Sequence, residues 1–277
     1  MRPPLVAAAR LVPLAALLGI PVLVGMHALY PIGQGSWFSP VFFVARSVAF
    51  LLIWSVLALL YPRTTLARRK ALSAIGLIAY VFTVSIAAMD WFGALMPEWY
   101  STGFGLVVAS GQMLGAMALA VAWAGLRGPR QPRGQVFIDL GNLLLMYVLL
   151  WAYLAFMEFL IIWVGNLPRE IAWYVPRVQT GWRWLGIALV LVQLAIPFTL
   201  LLLRKVKDRP ARLGAVAALL LAATALDTAW LVLPSVDPHD LNAWWLQPLA
   251  VAGMALFLFG PAHRAEPAPV EPQARHA

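Results

Sequence analysis

Arg46, Asp90, Glu158 and Asp227 each fall inside an apolar run long enough to cross a bilayer. A charged group in hydrocarbon costs about 2.5–3.5 kcal/mol on insertion scales, so each of these side chains needs a partner or serves a function. Counted at about 1.5 Å per residue from the outer ends of their runs, Arg46 lies about 13 Å deep and the carboxylates about 5–11 Å, all in the outer half. Aromatic residues stand beside them at helical spacing. Glu158 shares a face with Trp151 and Tyr147, Asp227 has Thr224 and Trp230 three residues away, and Phe42, Phe43 and Phe50 flank Arg46. The expectation is a polar pocket in the outer half, formed by Glu158, Asp90, Asp227 and Arg46 and bordered by Trp151 and Tyr147. Such a pocket would seat a flat apolar molecule with polar ends, or pass protons between carboxylates and water. The structural alternative is an ion pair in which Arg46 takes one carboxylate and pins helices together.

Weaker candidates lie elsewhere. Asp139, in IDLGN at the inner end of its run, is either a helix-start carboxylate favoured by the dipole or an inner intake point for protons. Gln112 and Gln193 are buried amides whose ordinary role is to link helices, and Pro197 should kink the helix that carries Gln193 and free carbonyls beside it. The chain has no Cys, and none of its His residues (His27, His239, His263, His276) sits deep in a run opposite another. Thiolate clusters are thereby excluded, and paired haem ligands are lacking. The expectation is that the chain alone binds no haem, metal cluster or other redox cofactor. Neither a nucleophile elbow nor a zinc-type motif is present.

The elements that must position these residues are helices. With 62% hydrophobic and 11% charged residues, the composition is far from that of a soluble domain. Apolar stretches at 5–29, 37–61, 71–95, 101–125, 136–164, 182–204, 212–233 and 243–261 reach or approach the roughly 20 residues a spanning helix requires. They lack the alternation of a membrane barrel. The predicted fold is therefore an all-α integral membrane protein of about eight transmembrane helices in two four-helix bundles, residues 1–125 and 136–262. A polar linker at 126–135 separates the bundles, and a Pro-rich disordered tail follows at 263–277. The first stretch reads as a retained anchor rather than a cleaved signal.

A net charge of +9 raises the question of nucleic acid, but the distribution of the basic residues answers it. Sixteen of the twenty Lys and Arg fall on one side of the alternating topology, at both termini and in the loops around 63–70, 127–133 and 204–212. By the positive-inside rule that side and both termini are cytoplasmic. The charge is a topology signal with a secondary affinity for anionic lipid, not a nucleic-acid footprint.

The stretches AMDWFGALMPEWYSTGFGLVVASGQ (88–112), IDLGNLLLMYVLLWAYLAFMEFLIIWVGNLPREIAWYVPR (138–177) and QLAIPFTLLLLRKVKDRPARLGAVAALLLAATALDTAWLVLPS (193–235) resemble the ActF-type membrane subunit of alternative complex III, in the wider NrfD/PsrC-like group. The resemblance implies an integral subunit of a bacterial inner-membrane quinol:cytochrome c, or other periplasmic acceptor, oxidoreductase. It implies two four-helix bundles beside a second membrane subunit, with periplasmic iron–sulfur and haem c subunits carrying the electrons, and quinol or quinone as the ligand. Asp90, Asp139 and Asp227 fit the family pattern. Ile138, Gln193 and Leu194 stand where the family has histidine or His-Phe, and Met157, Glu158 and Phe159 replace Ser-Gln-Tyr. The competing classes are a small-molecule transporter and a purely structural anchor for periplasmic partners.

Overall fold

The computed structural model describes residues 8–33, 35–127 and 134–236. All regular elements among them are helical. Three short helices, α1 (Val12–Leu17), α2 (Ile20–Val24) and α3 (Met26–Leu29), lie among the described residues where one span is expected from the sequence at 5–29. Gly19, Pro21 and Gly25 account for the interruption, because glycine weakens a helix and proline removes a donor. The first half continues with α4 (Pro40–Arg63), α5 (Leu66–Trp91) and α6 (Phe104–Arg127). The second half contains α7 (Gly134–Gly165), short α8 (Pro168–Ile171) and α9 (Val175–Gln179), α10 (Arg183–Leu189), a π-helical segment (Val190–Ala195), α11 (Ile196–Leu202), α12 (Arg204–Lys207) and α13 (Pro210–Val236).

Among the described residues, six helical stretches are long and apolar enough to cross a membrane: α4, α5, α6, α7, the continuous run of α10, π segment and α11, and α13. They coincide with six of the eight expected spans. The last expected span at 243–261, the tail at 263–277, most of the linker, and His239, His263 and His276 lie outside the described residues. The helix ends follow local rules. Ser39 and Thr65 are extended just before α4 and α5, and Pro40 starts α4 at a position where its missing N–H costs nothing. Asn166 ends α7 with φ 49°, and Pro168 prevents its continuation.

The polarity is that of a protein in lipid. Val41, Phe82, Trp163 and Val164 are more than 60% exposed, whereas Arg46, Asp90, Glu158, Arg177, Gln193 and Asp227 are buried. Helix α6 is the hub, packing on α5, α7 and most extensively on α13. Helices on both sides of the 126–135 linker therefore share contacts. The reason is a stripe of small residues on α6, Gly111, Gly115, Ala118, Ala122 and Gly125, of the kind that lets helix backbones approach closely. A Cβ on Gly125 would lie 2.8 Å from Gly214 Cα, and one on Gly115 would lie 3.3 Å from Thr224 Oγ1. Below this stripe an aliphatic core of Leu114, Leu144, Val148, Leu201, Leu213 and Leu220 is fully buried. Toward the opposite ends of the helices, Trp99, Phe104, Val108, Trp173 and Leu231 form a second core.

Candidate functional site

The four ionisable residues singled out from the sequence fall into three separate sets of contacts. Arg46 projects from the buried stripe of α4 that also carries Phe43, Ser47 and Phe50. It meets Asp90 in the last turn of α5. Arg46 Nε donates to Asp90 Oδ2 at 2.5 Å and Nη2 to Oδ1 at 3.0 Å, a bidentate pair. Trp37 Nε1 donates to the same Oδ1 at 3.0 Å, and its ring centroid lies 4.1 Å from the guanidinium. Nearby, the Tyr30 hydroxyl donates to the Trp91 carbonyl. Burial, and then the Asp90 charge, push the Tyr30 phenol up to about 12.

Glu158 lies on the inward stripe of α7, with Leu144, Val148, Trp151 and Ile162. Its Oε2 sits against the 101–103 loop so closely that a Cβ on Gly103 would be 2.6 Å away and would push the carboxyl aside. The Ser101 hydroxyl faces the carboxyl, and Glu170 is the next acid beyond it. Among the described residues, Glu158 Oε1 has no hydrogen-bond partner. The Tyr174 phenol is raised well above its ordinary value by burial and then by the Glu158 charge, an effect that Arg177 opposes.

Asp227, on α13, faces the third set. The Trp151 indole and the Gln193 amide both reach toward its carboxyl. Neither closes a well-formed hydrogen bond, so among the described residues Trp151 Nε1 and both polar atoms of Gln193 are without partners, and Gln193 is fully buried. Gly111 on α6 makes room, since a Cβ there would be 3.3 Å from Asp227 Oδ2 and 3.6 Å from Trp151 Cδ1. Gln193 is in the π-helical segment, and Pro197 four residues on has no N–H to return to its carbonyl. The sequence anticipates that local break. Trp230, one turn from Asp227, also has an indole N–H without a partner, and packs close to Gly186.

Of the other candidates, Asp139 is turned toward Gln135, whose Nε2 donates to Oδ1 at 3.0 Å near the surface. Tyr147 packs, half-buried, against the aliphatic core. Gln112, expected to be buried, is exposed, and it accepts from the Tyr80 hydroxyl at 2.5 Å. Arg177 is the residue that sequence reasoning missed. Counted there only as an outer-loop charge, it is 1% exposed and stacks 3.5 Å from the Trp173 ring centroid. It donates to the carbonyls of Trp173, Trp230 and Leu231 and to Ser235 Oγ. Pro234 is the signal that points to it, because a proline in α13 leaves the Trp230 carbonyl without its helical donor. Burial pulls the guanidinium down to about 9, partly offset by Tyr174, so it stays charged at neutral pH.

Among the described residues, no group of three or more His, Asp and Glu is placed to hold a metal ion. The arrangement defines a multi-pass helical membrane protein with its polar chemistry turned inward, at the junction of α6, α7, the π segment and α13. No protein-family model matches the chain, and no curated protein matches it in sequence.

Proposed function

We propose that the chain is an integral membrane subunit of a bacterial respiratory quinol:cytochrome c, or periplasmic acceptor, oxidoreductase, and that Asp227, Gln193 and Trp151 form its quinol-binding or proton-transfer site. The observation that carries this reading is a buried carboxyl facing an amide and an indole whose polar atoms have no hydrogen-bond partner among the described residues. Buried polar groups are rarely left so unless a ligand or proton traffic uses them. Their chemistry suits a hydroquinone. The ring hydroxyl donates to Asp227, while the indole N–H and the amide hold the ring oxygen. Oxidation of one quinol releases two protons and two electrons. On this reading Asp227 takes the two protons in turn, and Glu158, two turns along α7 from Trp151 and nearer the outer end, passes each of them on. The electrons leave to iron–sulfur and haem c groups held by periplasmic partners, since this chain offers no ligands for its own.

Arg46 and Asp90 take a structural role in this scheme, because their hydrogen bonds are already closed by each other and by Trp37. The test compares variants in the assembled complex. Asp227→Asn is expected to assemble and to lower quinol-dependent reduction of the acceptor at least about tenfold, as loss of a proton acceptor does. Asp90→Asn is expected to lower thermal stability by about 3–5 kcal/mol, because it strands the buried guanidinium. Unchanged turnover across pH in an assembled Asp227→Asn complex would overturn the assignment and leave the anchor reading in its place.

A further inference from the structure

A second built feature lies at the end of the bundle that the positive-inside rule assigns to the cytoplasm, and it is independent of the quinol reading. Between Arg204 and Arg212 the chain carries five cations and one acid, Asp208. Four of the cations are exposed, but Lys207 is buried. Its stem lies across the backbone of α7 at Gly141, where an added Cβ would be 2.5 Å from Lys207 Cγ. Its ammonium donates to Asn142 Oδ1 at 2.7 Å. An ammonium has three donors, and this one meets an amide rather than a carboxylate. Among the described residues no acid pairs with Lys207, although Asp139 is only a turn from Asn142 on α7; that carboxyl is turned to Gln135. The basic turn around it is itself held, since Arg212 Nη1 donates to the Lys205 carbonyl at 3.2 Å.

We propose that Lys207 and Asn142, with the exposed Arg204 and Arg209 beside them, seat the phosphate of an anionic phospholipid. The chemistry that fits is a phosphate oxygen accepting from the free ammonium donors and a guanidinium, while the Asn142 carbonyl oxygen keeps the lysine in place. A lipid rather than free phosphate is the occupant because Leu202 and Leu203, immediately before Arg204, are each more than half exposed and offer acyl chains an apolar wall at the same level. Basic clusters between helices at the cytoplasmic face recognise anionic headgroups by this combination.

The test uses the full-length chain, delipidated in neutral detergent, with thermal unfolding followed against added cardiolipin, phosphatidylglycerol, phosphatidylcholine or inorganic phosphate. The two anionic lipids are expected to raise the midpoint saturably, and phosphatidylcholine and inorganic phosphate to leave it unchanged. Lys207→Gln should weaken the apparent lipid affinity at least about tenfold, against about fivefold for an ordinary surface cation. Asn142→Asp, which pairs the ammonium internally and repels phosphate, should weaken it as much while preserving the packing. Arg68→Gln, in a different basic loop, should not weaken it. An equal loss in Arg68→Gln, undiminished affinity in Asn142→Asp, or a full shift from inorganic phosphate alone would each overturn the proposal.

Discussion

At the scale of single residues, the ionisable groups divide into those whose hydrogen bonds are complete and those whose are not. Arg46 and Asp90 belong to the first kind, and Glu158, with Trp151 and Gln193 beside Asp227, to the second among the described residues. The sequence marks the ionisable residues among these by charge and depth, but it offers Arg46 three carboxylates and does not choose between them. The choice is made by Trp37, which sits in a loop far from Asp90 in sequence and completes that pair. Trp151 is recognised from its spacing as a neighbour of Glu158, yet its indole nitrogen faces Asp227. One buried stripe of α7 carries both residues, so helical periodicity cannot separate their partners. Tyr30 supplies a pH test of this region. Its phenol, at about 12, holds its proton more tightly when folded than the ordinary value near 10. Above pH 10 the unfolded chain loses that proton first, so its contribution to stability is intact below pH 10 and is lost as pH rises through 12. Tyr30→Phe removes this slope. The stability difference between wild type and Tyr30→Phe, followed by thermal unfolding, is expected to be constant from pH 7 to 9 and to move against the wild type above pH 10.

At the scale of elements, the small-residue stripe of α6 and the break before Pro197 bring Asp227, Trp151 and Gln193 to one level. Both devices are visible in the sequence as glycines and a proline. Their consequence is not, because it depends on which helix packs on the stripe. The outer segment between α7 and α10 is the least legible part. It reads as a loop with interfacial aromatics, but Trp173 and Arg177 turn inward and join Trp99, whose ring stacks 4.3 Å from that of Trp173. Arg177 ties this segment to the end of α13 through carbonyls on both elements. Lysine has one charged centre where arginine has a planar fork, so it cannot satisfy all these acceptors together. Arg177→Lys is expected to cost about 1–3 kcal/mol, the range for a buried polar group left unpaired. It should also open the 166–182 segment to proteolysis in detergent before the spanning helices are cut. Cleavage and melting identical to wild type would show that the ties are dispensable.

At the scale of the whole molecule, the inverted polarity and the six long apolar helices follow directly from composition and run length. Of the other two expected spans, the first is interrupted at Gly19, Pro21 and Gly25, and the last lies outside the described residues. The charge distribution makes a sharper statement about orientation. Single cysteines placed in this Cys-free chain at positions 66 and 208 should resist an impermeant thiol reagent applied to intact cells and react in opened membranes, whereas one at 179 should react in both. Labelling of position 66 from outside would reverse the topology. The two cores on either side of Asp227 carry one further consequence, which is electrical. On the side that the positive-inside rule makes the inner one, the seal consists of fully buried aliphatic side chains fixed on long helices, an apolar layer with no polar group to carry a proton. On the other side it includes Trp99 and Trp173, which are borne on connecting segments rather than on spanning helices. A proton arriving at Asp227 from outside would thus cross about half the membrane thickness, nine residues from the end of α13 at about 1.5 Å each, and stop there. It would sense about half of the transmembrane potential, or about 1 kcal/mol per 100 mV, and the membrane would keep its charge.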